Sequence, residues 1–284
     1  MISRALIVGC GDLGSALAAH LCREGWHVTG LSRTLKSLSH PHFTSLVGDV
    51  TRLETLTSIK DLQPEIIVYC VAAGAQTDAA YQLAYVEGLK NVLATQTHNS
   101  QLRAIFFVSS TRVYGQTTDN WLDENTIAEP ADFGGERLLE AEQVLTHFSA
   151  RSQACQKIIL RLSGIYGPDR TRMLRLAQNP DTWPQENSWT NRIHRDDAAA
   201  FMAYLVRQIM SGQTLLPSYI VTDSQSCPQW EVLTWLSVQM QIAHPTRATP
   251  VVHGGKKLLN HAMLATGFQL QYPNYQIGYS TLLK

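Results

Sequence analysis

Residues 5–8 form a short unbroken apolar run, Ala5-Leu6-Ile7-Val8, closed by Gly9. That is the pattern of a strand buried on both faces of a parallel sheet. Leu13, Leu17 and Leu21 then recur at helical spacing over 12–24, Gly25 stops the helix, and 26–31 opens a second strand. Further buried strands are predicted at 44–47, 65–71, 104–109 and 157–162, with helices near 51–60, 77–98 and 134–150 between them. Strand and helix alternate, which predicts an α/β fold with a doubly wound parallel sheet.

After Tyr166-Gly167-Pro168 the rhythm changes: 179–191 is rich in Pro, Asn, Trp and Gln, has little periodicity, and is expected to be a loop-rich excursion. A helix is predicted at 196–210, a strand at 218–221 and an amphipathic helix at 228–240. The expected division is a dinucleotide-type domain over 1–167, to which 195–221 returns, and a smaller C-terminal substrate or lid region over 168–194 and 222–284.

The chain has 284 residues, 44% of them hydrophobic, enough to bury a core without metals or disulfides. Lys+Arg and Asp+Glu are 23 each, so no excess of positive charge is available for a phosphate backbone or an anionic membrane. Nucleic acid and membrane are therefore not expected partners. The five cysteines, Cys10, Cys22, Cys70, Cys155 and Cys227, are scattered without metal-ligand spacing, so no metal and a reduced, cytosolic compartment are expected. No apolar run approaches the roughly 20 residues of a membrane helix, and the start, Met1 to Val8, lacks a signal-peptide cleavage pattern.

Gly9-Cys10-Gly11-Asp12-Leu13-Gly14 fits GxGxxG between a predicted strand and a predicted helix. In that context the first glycine permits a tight turn, the second lets backbone approach a pyrophosphate at the helix N-terminus, and the third lets helix and strand pack closely. Gly9, Gly11, Asp12, Leu13 and Gly14 are the expected cofactor loop; without a ligand it would be only a glycine-rich turn. At the end of the second strand stand Ser32-Arg33, where a site that prefers NAD usually carries a carboxylate. A guanidinium there suits a 2′-phosphate and favours NADP, with NAD as the second option; the plain alternative is a solvated surface cation. Asp49 and Val50 follow the third strand and Ala72, Ala73 and Gly74 the fourth, at the carboxyl edge where an open α/β sheet binds its ligand.

Three further stretches carry a family resemblance. Ser109-Ser110-Thr111-Arg112-Val113-Tyr114-Gly115, Arg161-Leu162-Ser163-Gly164-Ile165-Tyr166-Gly167-Pro168 and Arg192-Ile193-His194-Arg195-Asp196-Asp197-Ala198 occur in order after the glycine loop. With them the chain resembles the extended short-chain dehydrogenase/reductases, which include the nucleotide-sugar epimerases and dehydratases. The resemblance runs from the first strand almost to the C-terminus. It implies a Rossmann domain for NAD(P) and a smaller C-terminal substrate-binding region. Ser110 matches the family's catalytic Ser/Thr, which hydrogen-bonds the substrate oxygen. Thr111, Arg112 and Tyr114 beside it, and Arg192 and His194 later, are expected to face the substrate. Asp196 is expected to cap the helix that follows.

The family's YxxxK pair falls on Phe133-Gly134-Gly135-Glu136-Arg137. Phe133 has no ionisable group to move a proton. Arg137 keeps a positive charge for ribose or phosphate but is no acid/base near neutrality. Glu136, Asp123 and Glu124 become alternative acid/base candidates, though a solvated surface carboxylate is the favoured reading of each. This departure resembles the atypical bacterial branch of the extended group. The expectation is an NADP-dependent oxidoreductase or epimerase acting on a polar, nucleotide-sugar-like small molecule; the alternative is a non-catalytic NADPH sensor. Lys256 and Lys257 could meet a phosphorylated substrate or begin a helix, and Trp183, Trp189, Trp230 and Trp235 are expected in the small core. Either a monomer or a homodimer fits, the latter through the helices near 77–98 and 133–150.

Overall fold

The computed structural model describes residues 3–116, 118–243, 245 and 247–283. The Met1 and Ile2 of the N-terminal reading lie outside them.

The elements run β1 (Arg4–Val8), α1 (Asp12–Arg23), β2 (His27–Ser32), β3 (Phe43–Val47), α2 (Thr57–Lys60), β4 (Ile66–Tyr69), α3 (Asp78–Tyr81), α4 (Gly88–Thr95), β5 (Ala104–Ser110), β6 (Trp121–Leu122), α5 (Phe133–His147) and β7 (Gln156–Leu162). There follow β8 (Gly164–Tyr166), α6 (Arg172–Ala177), β9 (Asn187–Thr190), β10 (Arg192–His194), α7 (Arg195–Met210), β11 (Ser218–Val221), β12 (Cys227–Pro228), α8 (Gln229–Gln239), β13 (Val252–Gly255), β14 (Lys257–Leu258), α9 (His261–Ala265) and α10 (Tyr275–Ser280). They divide into two compact units. One comprises Met1–Gly115, Ala128–Arg161 and Ala199–Tyr219; the other comprises Gln116–Ile127, Leu162–Ala198 and Ile220–Lys284.

The first unit is built on a parallel sheet of order β11-β7-β5-β4-β1-β2-β3. The order reverses at β1, between β2 and β4, the switch point at which an open α/β sheet binds its ligand. Ile66, Ile67, Val68 and Tyr69 are all fully buried, because β4 is covered on both faces as well as both edges, and that is why its sequence has no polar alternation. Each such aliphatic side chain withdrawn from water contributes about 1.5–3 kcal/mol.

The helix predicted over 77–98 is not one α-helix. α3 gives way to a π-helical turn, Gln82–Glu87, before α4 resumes. Tyr69 anchors that turn by donating its hydroxyl to Ala84 O at 2.5 Å.

In the second unit, Tyr166, Leu174, Trp183, Trp230, Leu233, Leu236, Tyr275 and Tyr279 form a core of their own. Trp183 and Trp230 meet edge to face with centroids 5.2 Å apart, a favoured aromatic geometry. The structure corrects three expectations here. The excursion at 179–191 contains β9, the middle strand of the sheet β12-β9-β13. Its four residues are too few for a periodicity to show. Lys257 belongs to β14, paired with β6, rather than to a helix start; its ammonium lies 5.7 Å from the Trp121 ring centre and 5.4 Å from that of Trp189. The β6–β14 pairing also carries 116–127 into the second unit. Third, Asp196 does not cap α7, because the helix begins at Arg195; the Asp196 N–H donates to His194 Nδ1 at 3.2 Å.

Candidate functional site

The glycine loop divides its three glycines by physical role. Gly9 has φ +90°, a conformation that favours glycine, and a Cβ there would stand 2.6 Å from Val71 N. A Cβ on Gly14 would stand 2.6 Å from Gly9 O. These two glycines let β1, β4 and α1 close on one another. Gly11 differs: nothing lies within 4 Å of where its Cβ would be. It is the N-cap of α1 and supplies no side-chain cap bond, so the helix N-terminus faces open space with its dipole and N–H groups. Leu13 is buried below the loop and Asp12 stands in the first turn. This cradle fits the pyrophosphate of a dinucleotide.

Two cations border the loop. Arg33 is exposed at the end of β2, and a Cβ on Gly74 would meet Arg33 Nη1 at 3.7 Å. Because β1 lies between β2 and β4, the Arg33 side chain spans the carboxyl end of β1. Lys36, which sequence reasoning missed, is near enough to Cys10 to pull its thiol downward, although burial dominates and pushes that thiol up. Ser32 Oγ donates to Thr34 O at 2.7 Å, and Asp49 Oδ1 accepts from Thr51 N and Oγ1 at 3.0 and 2.8 Å. Val50 is buried, and its carbonyl accepts from Asn91 Nδ2 at 2.8 Å. Ala72 and Gly74 are set past the end of β4, both exposed, with Ala73 half-buried between them.

Ser110 ends β5, half-exposed, and its Oγ accepts from Arg112 N at 3.2 Å. Its neighbours are committed elsewhere. Thr111 is buried, and Tyr114 is fully buried with its hydroxyl accepting from Arg161 Nη1 at 2.6 Å, which places Tyr114 in the core rather than on a ligand-facing surface. Arg112 donates Nε to both oxygens of Asp132 at 2.9 and 3.0 Å, and Nη1 to Tyr81 Oη at 2.8 Å and Gln76 Oε1 at 3.2 Å. Asp132 in turn caps α5 by accepting from Gly135 N at 2.9 Å. The guanidinium carbon lies 5.2 and 5.3 Å from the Tyr81 and Phe133 ring centres.

Phe133 begins α5 and meets Tyr81 edge to face with centroids 5.4 Å apart. Arg137 donates Nε to Asp78 Oδ1 at 2.7 Å and Nη1 to Glu140 Oε2 at 2.8 Å. Its guanidinium, by hydrogen bonding, holds the Asp78 carboxyl below the usual range. Of the alternative carboxylates, Glu136 is exposed. Asp123 closes a turn onto Asn125 and Thr126, and Glu124 accepts from Ile220 N at 2.7 Å.

In the second unit, Arg192 and His194 are interior side chains, 5% and 1% exposed. Arg192 donates to Cys227 Sγ at 2.9 Å and Thr190 Oγ1 at 2.5 Å. His194 packs on Tyr272 with centroids 3.9 Å apart, and burial depresses its basicity. Beside them Asp223, also missed in the sequence, is 1% exposed. Burial pushes its carboxyl up to about 7 against the opposing pull of Arg192, and its Oδ2 has no partner among the described residues. A single Asp in Val221-Thr222-Asp223-Ser224 carries no pattern that would single it out.

Comparison with known proteins adds three findings. The model of the NAD dependent epimerase/dehydratase family matches residues 5–216. Protein YeeZ of Escherichia coli K12 is 27% identical over 219 residues, 74% of this chain and 76% of YeeZ. Among solved structures, one from Methylobacillus flagellatus, described as a candidate NAD-dependent epimerase/dehydratase, is 50% identical with TM-score 0.88, covering 100% of this chain and 98% of that one. The UDP-glucose 4-epimerase of Thermus thermophilus, solved with NAD, shares the fold at 16% identity and TM-score 0.77, over 99% and 97% of the two chains. No helix among the described residues is long and apolar enough to cross a membrane.

Proposed function

Because the chain belongs to the NAD-dependent epimerase/dehydratase family, we propose that it is an oxidoreductase or epimerase that takes NADP in preference to NAD and acts on a polar, nucleotide-sugar-like substrate. The observation that carries the cofactor preference is Arg33, whose guanidinium reaches Gly74 across the glycine loop. No carboxylate stands at the end of β2, where Ser32-Arg33-Thr34 leaves the chain without the ribose acceptor typical of NAD sites. The bound nicotinamide would supply or accept the hydride. Gly11 and the first turn of α1 would hold the pyrophosphate, Arg33 the 2′-phosphate, and Ser110 Oγ would polarise the substrate oxygen at the edge of β5.

Two observations favour a second reading, a dinucleotide sensor without turnover: Phe133 carries no hydroxyl, and Arg137 is already paired with Asp78 and Glu140. Fluorescence titration with NADPH and NADH, followed by absorbance assays on carbonyls and nucleotide sugars, separates the readings. The oxidoreductase reading expects tighter NADPH binding and turnover of at least one substrate. Tight binding with no turnover supports the sensor, tighter NADH binding removes the role given to Arg33, and binding of neither overturns both readings.

A further inference from the structure

Resting on the oxidoreductase reading, we propose that Tyr85 supplies the phenol that Phe133 lacks and is the group that exchanges a proton with the substrate oxygen. Four observations in the first unit converge on it.

The position is built. Tyr85 lies within the π-helical turn Gln82–Glu87, a distortion that occurs mostly as single turns and frequently at functional sites. The turn is held from below by the Tyr69 hydroxyl on Ala84 O. It brings the Tyr85 and Tyr81 rings to 5.0 Å, and Tyr81 itself packs on Phe133. The Tyr85 ring is therefore two aromatic contacts from the residue that replaces the expected tyrosine.

The hydroxyl is in the right place. Tyr85 Oη accepts from Ala73 N at 3.4 Å, beyond the carboxyl end of β4. The β4–β5 register pairs Tyr69 with Phe107, so Ala72 and Ser110 each stand three residues past the same pair on neighbouring strands. β4 and β5 are neighbouring parallel strands, so the Tyr85 and Ser110 hydroxyls lie at the same carboxyl edge of the sheet.

Its proton is available. Tyr81 Oη both donates to Gln76 Oε1 and accepts from Arg112 Nη1, and Tyr69 and Tyr114 are buried. Tyr85 is half-exposed, and its O–H has no protein acceptor among the described residues. Finally, a cation is at hand: burial pushes the Tyr85 phenol up, the Ala73 N–H pulls it down, Tyr81 pushes it up, and the Arg112 guanidinium adds the smallest pull down. The outcome is a phenol that stays protonated at neutral pH, with the Ala73 N–H and the Arg112 guanidinium offsetting part of the cost that burial puts on its phenolate.

In the reductive direction, a substrate carbonyl that receives hydride at carbon from a reduced nicotinamide dinucleotide breaks its C=O π bond and takes the Tyr85 proton on oxygen. One C–H and one O–H bond form, and the phenolate regains a proton from solvent. Alcohol oxidation is the reverse, with the phenolate as base.

The test uses the whole chain as wild type, Tyr85→Phe and Tyr81→Phe. NADH and NADPH affinities are read by fluorescence, NADPH-dependent reduction of 9,10-phenanthrenequinone is followed as a carbonyl probe from pH 6 to 10, and nitration of Tyr85 by tetranitromethane is mapped by mass spectrometry with and without NADP+. Expected are unchanged dinucleotide affinity in Tyr85→Phe and a loss of quinone reduction of a hundredfold or more, the scale of general acid catalysis. Tyr81→Phe should lose less than tenfold, and bound NADP+ should protect Tyr85 from nitration at least fivefold. Full quinone reduction by Tyr85→Phe, or nitration of Tyr85 unaffected by saturating NADP+, overturns the proposal. If the wild type does not reduce the quinone, the nitration arm decides alone. Failure of the wild type to bind either dinucleotide overturns the cofactor reading instead, and with it this one.

Discussion

Arg161 and Glu142 form a two-pronged ion pair in the interior of the first unit: Nη2 donates to Oε2 at 2.7 Å and Nε to Oε1 at 3.1 Å, with the residues 9% and 3% exposed. Ser109 Oγ donates to the same Glu142 Oε1 at 2.6 Å and Arg161 Nη1 to Tyr114 Oη at 2.6 Å. The pair thus ties α5 to β7 and to both flanks of Ser110.

Removing one partner of such a pair leaves an uncompensated buried charge, which costs about 3–5 kcal/mol. Glu142→Ala should lower unfolding stability in urea by that amount. The double substitution Glu142→Leu with Arg161→Met should lose much less. A loss below about 1 kcal/mol for Glu142→Ala would show that the guanidinium finds water in solution.

The glycine loop makes two opposite predictions from one kind of substitution. Gly11→Ala places its methyl in open space, so the thermal midpoint should change little while dinucleotide affinity falls at least tenfold. Gly9→Ala forces a methyl against Val71 N at a positive φ, a local strain of order 1–3 kcal/mol. Its thermal midpoint should fall before any ligand is added. Calorimetry with and without NADPH reads both, and equal behaviour of the two variants would contradict the division of roles.

Arg33→Ala should weaken NADPH binding and leave NADH nearly unchanged. A hydrogen bond to a charged group is worth about 1.5–3 kcal/mol, which is roughly ten- to a hundredfold in affinity. The check is the ratio of the two dissociation constants, and it should also shrink with added salt, because Arg33 is exposed.

Asp223 predicts a pH dependence of stability. Its folded-state value near 7 lies above the roughly 3.9 of an unfolded aspartate, so between these values the folded chain binds more protons than the unfolded one. Stability from this group is fully present below about pH 4, is lost as pH rises toward 7, and is flat above. The charges that set it are Arg192, which opposes the shift, and Asp197, which adds to it. Asp223→Asn should therefore be the more stable protein at pH 8 by a few kcal/mol, with the difference vanishing near pH 4. Denaturation midpoints across that range for both proteins decide it, and a constant difference would sink the assignment.

The elements legible in the sequence were those whose burial leaves a one-dimensional trace. β1, β4 and β5 are covered on both faces, so they read as unbroken apolar runs, and the glycine loop between β1 and α1 is a fixed spacing. What was not legible depends on partners distant in the chain. β9 is a strand only because β12 and β13 flank it, and Asn187-Ser188-Trp189-Thr190 has no strand signature of its own. Glu142 looks like any helical surface carboxylate until Arg161, 19 positions on, is brought beneath it. Arg192 and His194 are expected to face the substrate, yet a cysteine, a threonine and two tyrosines enclose them. The π turn leaves no trace either, since 77–98 has helical spacing at both ends.

That turn sets the two halves of one rod out of phase. An α-helix advances about 100° per residue, and a turn closed five residues on instead of four holds one residue more than the α-helical path requires. The faces of α3 and α4 are thus offset by about one such step. The phenol of Tyr85 sits where the offset is taken up, so losing one of Gln82, Leu83 or Ala84 would let an unbroken α-helix form and turn that ring away from Ala73.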